Sequence, residues 1–166
     1  MAYEIERKFL VEKLSEEELL SRQSKVKEIE QCYLLPSEEF PIRRARKVTV
    51  GKHSKYFYTL KREVKGTFVR EEIEEEICES RYLEILKERD FTLNSIVKTR
   101  YVIEENGLQF ELDRFPFFTR FDILEVELSN ENEQFEMPKY FKVIKEVTTD
   151  YRFTNVNLAR EIPKDI

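Results

Sequence analysis

The chain of 166 residues contains one histidine, three glycines, two cysteines and no tryptophan. Each shortage removes a class of chemistry. A lone His53 cannot supply a multi-histidine metal site or a pair of imidazoles. Gly51, Gly66 and Gly107 lie too far apart to form a glycine-rich dinucleotide loop. Gly51-Lys52-His53-Ser54 resembles the end of a phosphate-binding P-loop, but Arg46 stands where that loop needs its first glycine. Cys32 and Cys78 have no cysteine nearby, so neither a metal knuckle nor a redox motif is present, and two free thiols in a cytosolic protein are expected. No apolar run approaches the ~20 residues of a membrane helix. The first residues carry Glu4, Glu6, Arg7 and Lys8, which does not read as a signal peptide. A cytoplasmic protein without a membrane partner follows as the expectation. The net charge of −5 gives no footprint for general nucleic-acid binding. Any chemistry on phosphates must therefore come from side chains, and 29 lysines and arginines are available for it.

What the chain does have is charge and aromatics: 38% charged residues, 13 phenylalanines and 8 tyrosines. The length suits one domain spanning residues 1–166, which buries roughly 70% of the surface its unfolded chain exposes. Most of the sequence reads with period two. Tyr3, Ile5, Phe9 and Val11 alternate with Glu4, Glu6 and Lys8, and similar alternation recurs around Arg44, Lys61, Glu72, Lys98, Glu111 and Glu125. β-branched and aromatic enrichment favours strands. Pro36-Ser37, Lys65-Gly66, Asn106-Gly107 and Ser129-Asn130 punctuate the runs as turns. Three stretches read as helices instead: Ser15 to Lys27, opened by a capping box, Ser80 to Arg89, and Met137 to Lys145. The expectation is an α+β fold, mainly antiparallel β. About eight strands and a few flanking helices would close into an eight-stranded barrel.

Alternation alone leaves open which face is inside. An ordinary soluble barrel would turn its charges to water. Here one set of faces carries seven cations (Lys8, Arg44, Arg46, Lys61, Arg70, Lys98, Arg100) and eight anions (Glu4, Glu6, Glu72, Glu74, Glu111, Asp113, Glu125, Glu127). They are sorted by sign, with Arg44, Arg46 and Lys61 together and Glu125 beside Glu127. Like charges side by side are unfavourable unless something of opposite sign lies between them. A polyphosphate among the cations and a divalent metal among the carboxylates would remove both penalties.

Glu4-Ile5-Glu6-Arg7-Lys8 is similar to the Glu-x-Glu-x-Lys opening of the CYTH superfamily, the triphosphate tunnel metalloenzymes. Later segments resemble that family in the same order. They are Gln31-Cys32-Tyr33-Leu34, Arg44-Ala45-Arg46, Thr59-Leu60-Lys61, Arg70-Glu71-Glu72-Ile73-Glu74 and Val97-Lys98-Thr99-Arg100-Tyr101, then Glu111-Leu112-Asp113-Arg114-Phe115 and Leu124-Glu125-Val126-Glu127-Leu128. The closing Glu146 to Asn155 resembles the C-terminal signature of bacterial members, with Cys32 and Thr149 standing where glycine is frequent. The resemblance implies a closed eight-stranded tunnel with a charged interior, and Ile5, Phe9 and Val126 facing outward under helices or a partner.

The same resemblance implies a metal-dependent triphosphatase. Glu4, Glu6, Glu125 and Glu127 would hold Mg²⁺ or Mn²⁺, hard ions that prefer oxygen. Lys8, Arg44, Arg46, Lys61, Arg70, Lys98 and Arg100 would grip a triphosphate-bearing small molecule, inorganic tripolyphosphate first, with thiamine or nucleoside triphosphates behind it. Glu4, Glu6, Lys8 and Lys61 would serve catalysis, with Glu72 or Asp113 assisting the attacking water. One alternative keeps the fold but makes a class IV-type adenylate cyclase; another makes a non-catalytic polyphosphate or nucleotide binder. The outward apolar face is compatible with a homodimer or with covering helices. Other features have plainer readings. His53 is a solvated turn residue, Tyr33 and Tyr101 are packing residues, Arg120 and Asp122 a surface pair, and Asn130 to Glu136 an exposed loop.

Overall fold

The computed structural model describes residues 2–164. Its strands are β1 (Ala2–Glu4), β2 (Glu6–Glu12), β3 (Lys25–Tyr33), β4 (Ile42–Val50), β5 (His53–Glu63), β6 (Arg70–Ile77), β7 (Ile96–Glu105), β8 (Leu108–Arg114), β9 (Phe121–Glu127) and β10 (Val143–Glu146). Helices α1 (Glu16–Arg22), α2 (Glu79–Ile85) and α3 (Asn155–Arg160) interrupt them. No helix among the described residues is long and apolar enough to cross a membrane.

The ten strands form one antiparallel sheet in the order β1-β6-β5-β4-β3-β7-β8-β9-β2-β10. This corrects the expectation of a closed eight-stranded barrel. Closure would need β2 to pair with β6, but the second edge of β2 is taken by β10. The first strand breaks at Ile5, and its three-residue start, β1, pairs with β6 instead. The sheet is therefore curled and open, with β1 and β10 at its ends. Alternation in sequence reports which side chains share a face, not which strand supplies the next ladder of hydrogen bonds.

The helix expectations hold in part. Ser15 caps α1, its hydroxyl accepting from the Glu18 amide at 3.1 Å, and Glu16, Glu17 and Glu18 sit in the first turn, where the helix dipole favours acids. The helix stops at Arg22, however, and Lys25-Val26-Lys27 opens β3, paired with β7. Met137 to Lys145 is not a helix. Phe141 closes a turn onto the Pro138 carbonyl at 3.1 Å, and the β-branched pair Val143-Ile144 then begins β10. The last helix, α3, lies where none was expected, capped by Thr154, whose hydroxyl accepts from the Asn157 amide at 3.3 Å.

Three apolar clusters hold the sheet. Phe9, Val11, Tyr101, Phe110, Leu124 and Val126 line the outer face of β2, β7, β8 and β9, covered by Leu19 of α1 and by Phe135, Met137 and Phe141. The outward apolar face is thus buried by the chain itself. Cys32 and Ala45 pack under Tyr82 and Ile85 of α2. On the inner side Leu10, Ile96, Phe115, Phe118, Phe121 and Phe153 pack with Leu158 and Ala159 of α3 and floor one end of the curl.

Candidate functional site

Beyond that floor the inner face is polar. A cavity of about 270 Å³ is lined by seven cationic side chains (Lys8, Lys27, Arg44, Arg46, Lys61, Arg70, Arg100) and seven carboxylates (Glu4, Glu6, Glu72, Glu74, Glu111, Glu125, Glu127). Tyr33, Gln109 and Asn155 complete much of the polar wall. Register explains the assembly. Arg44 stands opposite Tyr33 and Thr59, Arg46 opposite Gln31, Lys61 opposite Glu72, Lys8 opposite Glu125, and Glu6 opposite Glu127. In antiparallel pairs such residues project to the same side.

On the cationic wall several donors lack carboxylate partners. Arg44 is buried; its Nη2 donates to the Thr59 hydroxyl at 3.2 Å and lies 4.0 Å from a Glu74 oxygen, and its Nε–H has no hydrogen-bond partner among the described residues. The Nε of Arg46 donates only to the neutral Gln31 amide oxygen, at 2.8 Å. Burial, and then the charges of Arg44 and Arg100, push the Arg46 guanidinium below its ordinary range. Lys27, half-buried, is likewise pushed down by burial, with Glu111 opposing the neighbouring cations. Lys8 reaches the Phe153 carbonyl at 3.1 Å and Glu125 at 3.5 Å. An orphaned, buried guanidinium N–H costs free energy until an acceptor meets it.

On the facing wall Glu6, Glu111 and Glu125 bring carboxylate oxygens within 4.8 Å of one another. Burial, and then Glu125 and Glu4, push the Glu6 carboxyl well above its ordinary value. Glu127 is pushed up to about 7 by burial and by Glu111. Glu125 ends below its ordinary value, because Lys8 and Arg100 outweigh burial. Hard oxygen donors crowded with net negative charge fit a divalent cation such as Mg²⁺ or Mn²⁺. Of the four carboxylates assigned to metal from sequence, Glu6 and Glu125 share this cluster. Glu127 stands opposite Glu6. Glu4 faces Lys61, whose ammonium donates to both its oxygens at 3.0 and 3.1 Å. Burial raises the Glu4 carboxyl, but Lys61 outweighs it and holds the group well below the usual range. Glu72 is pushed up to about 8 by burial and by its hydrogen bond to Glu4.

Lys98 and Asp113 lie behind the wall rather than in it. Asp113 has no exposed surface and receives Arg100 Nε at 2.7 Å, Arg100 Nη2 at 2.9 Å and Lys98 Nζ at 2.7 Å. Burial raises its carboxyl, and the two cations more than reverse that. Lys98 also donates to Asn155 Oδ1 at 3.0 Å, and burial pushes its ammonium down to about 7. Arg100, bound to Glu111 at 2.8 Å as well, is left facing the cavity. Glu111, Lys27 and Asn155 are wall residues to which the sequence assigns no role, and Tyr33, expected as a packing residue, lines the cavity as well. Lys27 is not legible as a wall residue in the sequence, because Val26 and Ile29 stand three apart, a helical rather than a strand spacing.

The arrangement has recognisable relatives. The CYTH domain profile matches residues 2–160, and the chain belongs to that family. No curated protein matches the chain. Among solved structures, the inorganic triphosphatase NE1496 is 28% identical over 98% of each chain, with a TM-score of 0.56. Two proteins of Pyrococcus horikoshii OT3 share the fold. PH1819 is 20% identical, covering 79% of this chain and 80% of its own, with a TM-score of 0.57. PH1012 is 24% identical, covering 77% and 80%, with a TM-score of 0.55.

Proposed function

We propose that the cavity binds a triphosphate together with a divalent cation and hydrolyses a phosphoanhydride bond, with inorganic tripolyphosphate as the preferred substrate. One observation carries this reading: a cationic wall, in which the buried Arg44 Nε–H has no partner among the described residues, faces a largely buried carboxylate cluster across one cavity. The likeness to an inorganic triphosphatase over nearly the whole chain supports it. Arg44, Arg46, Arg70, Lys8 and Lys61 bind the phosphoryl oxygens, the arginines through paired N–H groups. Arg100 is aimed by Asp113, with Lys98 behind it. Glu6, Glu111, Glu125 and Glu127 hold Mg²⁺ or Mn²⁺, and Glu4 stands beside them through its pairing with Lys61. When bound, the metal neutralises charge on the phosphoryl oxygens. Water attacks the terminal phosphorus, and the bond to the bridging oxygen breaks, giving orthophosphate and pyrophosphate. Glu72, opposite Lys61 in the same wall as Glu4, is placed to manage protons at this end of the cavity. The walls need no covalent nucleophile, in keeping with phosphoryl transfer governed by positioning and charge.

The test is a panel of tripolyphosphate, thiamine triphosphate and ATP with Mg²⁺ or Mn²⁺, assaying orthophosphate and cyclic AMP together. Orthophosphate from tripolyphosphate, lost at least roughly 100-fold in Glu6→Gln and in Lys61→Ala, is the expected result. Cyclic AMP from ATP without orthophosphate release would replace the hydrolase by a cyclase. Wild-type rates in both variants would sink the site assignment.

A further inference from the structure

We infer that the Asn155 side-chain amide is a further substrate contact, its NH₂ group donating to a phosphoryl oxygen; this rests on the triphosphate reading above. Asn155 opens α3 and lines the cavity. Its backbone is held on both sides. Thr154 caps the helix, its hydroxyl accepting from the Asn157 amide at 3.3 Å and donating to the Tyr151 carbonyl at 2.9 Å. Leu158 and Ala159, about one turn on, are buried in the apolar floor with Leu10 and Phe115. The side chain therefore enters the cavity from a rigid point outside the strands that carry the cationic wall.

A chain of hydrogen bonds decides which way the amide faces. Arg46 can only donate, and its Nε meets Gln31 Oε1 at 2.8 Å, so the other branch of the Gln31 amide is its NH₂. That group donates to Asn155 Oδ1 at 3.3 Å, and Lys98 Nζ donates to the same oxygen at 3.0 Å. Turning the Asn155 amide over would set its NH₂ against another NH₂ and an ammonium. Gln31 and Lys98 are each 1% exposed, so Oδ1 is bound to the back of the wall. Nδ2 is the polar atom left over, and its two N–H groups meet no acceptor among the described residues. From Lys98 the chain runs on through Asp113 to Arg100, so the amide links the Arg46 side of the wall to Arg100. An NH₂ group is no ligand for a cation, and neither arginine can accept from it. Its fitting occupant is an anionic oxygen already gripped by those guanidinium groups.

Asn155→Ala removes the whole amide. Asn155→Asp keeps the oxygen that Gln31 and Lys98 hold and puts a second oxygen where the NH₂ was. Calorimetric binding of inorganic tripolyphosphate to the metal-free protein should weaken roughly 10- to 100-fold in Asn155→Ala, the effect of one hydrogen bond to a charged acceptor, and at least as much in Asn155→Asp. KM for tripolyphosphate should rise in both. Stability should separate them. Asn155→Ala leaves two buried donors an acceptor short and should melt roughly 2–6 °C lower, whereas Asn155→Asp should melt within about 2 °C of wild type or above it. An amide that only braced the wall would leave Asn155→Asp with wild-type binding. Wild type that binds tripolyphosphate while either variant binds it within about twofold as well overturns this inference and leaves the triphosphate reading intact. An Asn155→Asp protein that melts as low as Asn155→Ala refutes the assigned direction of the amide, and the contact with it. Wild type that neither binds nor hydrolyses tripolyphosphate removes both.

Discussion

Replacing Asp113 with alanine should be the most destabilising change at any charged residue near the cavity, and its size can be worked from the structure. The carboxylate has no exposed surface and receives three charge-assisted hydrogen bonds, two from Arg100 and one from Lys98. Removing one partner of a buried ion pair costs roughly 3–5 kcal/mol, because the other charge is left without compensation. The lower end applies here for two reasons. Arg100 keeps Glu111 at 2.8 Å, and Lys98, already pushed down to about 7 by burial, can shed its proton. Roughly 3 kcal/mol in a chain of this size corresponds to a melting temperature lowered by roughly 6–12 °C, read by circular dichroism at pH 7 without metal. Asp113→Leu combined with Lys98→Met removes the carboxylate and one of its cations, and should recover more than half of the loss. A single variant melting within about 2 °C of wild type, or a double variant no better than the single, would show that the pair does not carry this energy.

Glu127 at about 7 and Glu72 at about 8, against an ordinary 4.5, bind more protons folded than unfolded, so the metal-free protein should lose stability as pH rises from 5 to 7; Lys98 acts in the opposite sense only above that window. Mn²⁺ must displace the proton on Glu127, so its affinity should rise over the same range, and a metal-free melting temperature that is flat or climbing from pH 5 to 7 would contradict the assignment. Gly107 sits at φ +76 beside Asn106 at φ 56 in the β7–β8 turn, and an added Cβ would meet nothing within 4 Å. Gly107→Ala should therefore cost only the backbone term, about 1 kcal/mol, seen as a melting temperature roughly 2–4 °C lower with unchanged kinetics.

The charged face was legible in the sequence because period two is a property of the strand itself. Within each strand the charged positions (Lys8; Arg44 and Arg46; Lys61; Glu72; Glu125) fall on one side whatever the pairing, and the family resemblance turned those sides inward together. Ladder closure was not legible. Whether β2 meets β6 depends on β10, four residues long and arriving from the far end of the chain, and on a break at Ile5 that leaves no mark in the alternation. Depth within the curl was hidden too. Asp113 and Glu111 alternate on one strand with the same sign, yet one lies behind the wall and the other in it. Asp122 reads as a partner of Arg120 by proximity, but it is buried and paired with Arg114 at 2.7 Å, a partner eight residues upstream across the β8–β9 connection. Amide-mediated contacts such as Gln31 to Tyr33 carry no compositional signal at all.

Scarcity of histidine and glycine acquires a physical sense from the way charges are divided in the cavity. Seven cations and seven carboxylates balance in number but not in place. Some are neutralised locally: Lys61 against Glu4, and Arg100 against Asp113 and Glu111. These pairs fix side chains and leave little field. Lys8 and Arg100 also reach Glu125, at 3.5 and 3.9 Å, so the remainder separate into a β4 side, where Arg44 and Arg46 have only neutral hydrogen-bond partners, and a carboxylate side around Glu6 and Glu127. Such separation is unfavourable on its own: burial, and then neighbouring like charges, raise the Glu6 and Glu127 carboxyls and depress Arg46. It is relieved on one side by an anion and on the other by a cation, and relief of one leaves the other wall in excess. A triphosphate carrying its own divalent cation satisfies both walls in one binding event. Neither a glycine loop nor an imidazole is required when oxygen donors hold the metal and guanidinium groups hold the phosphates.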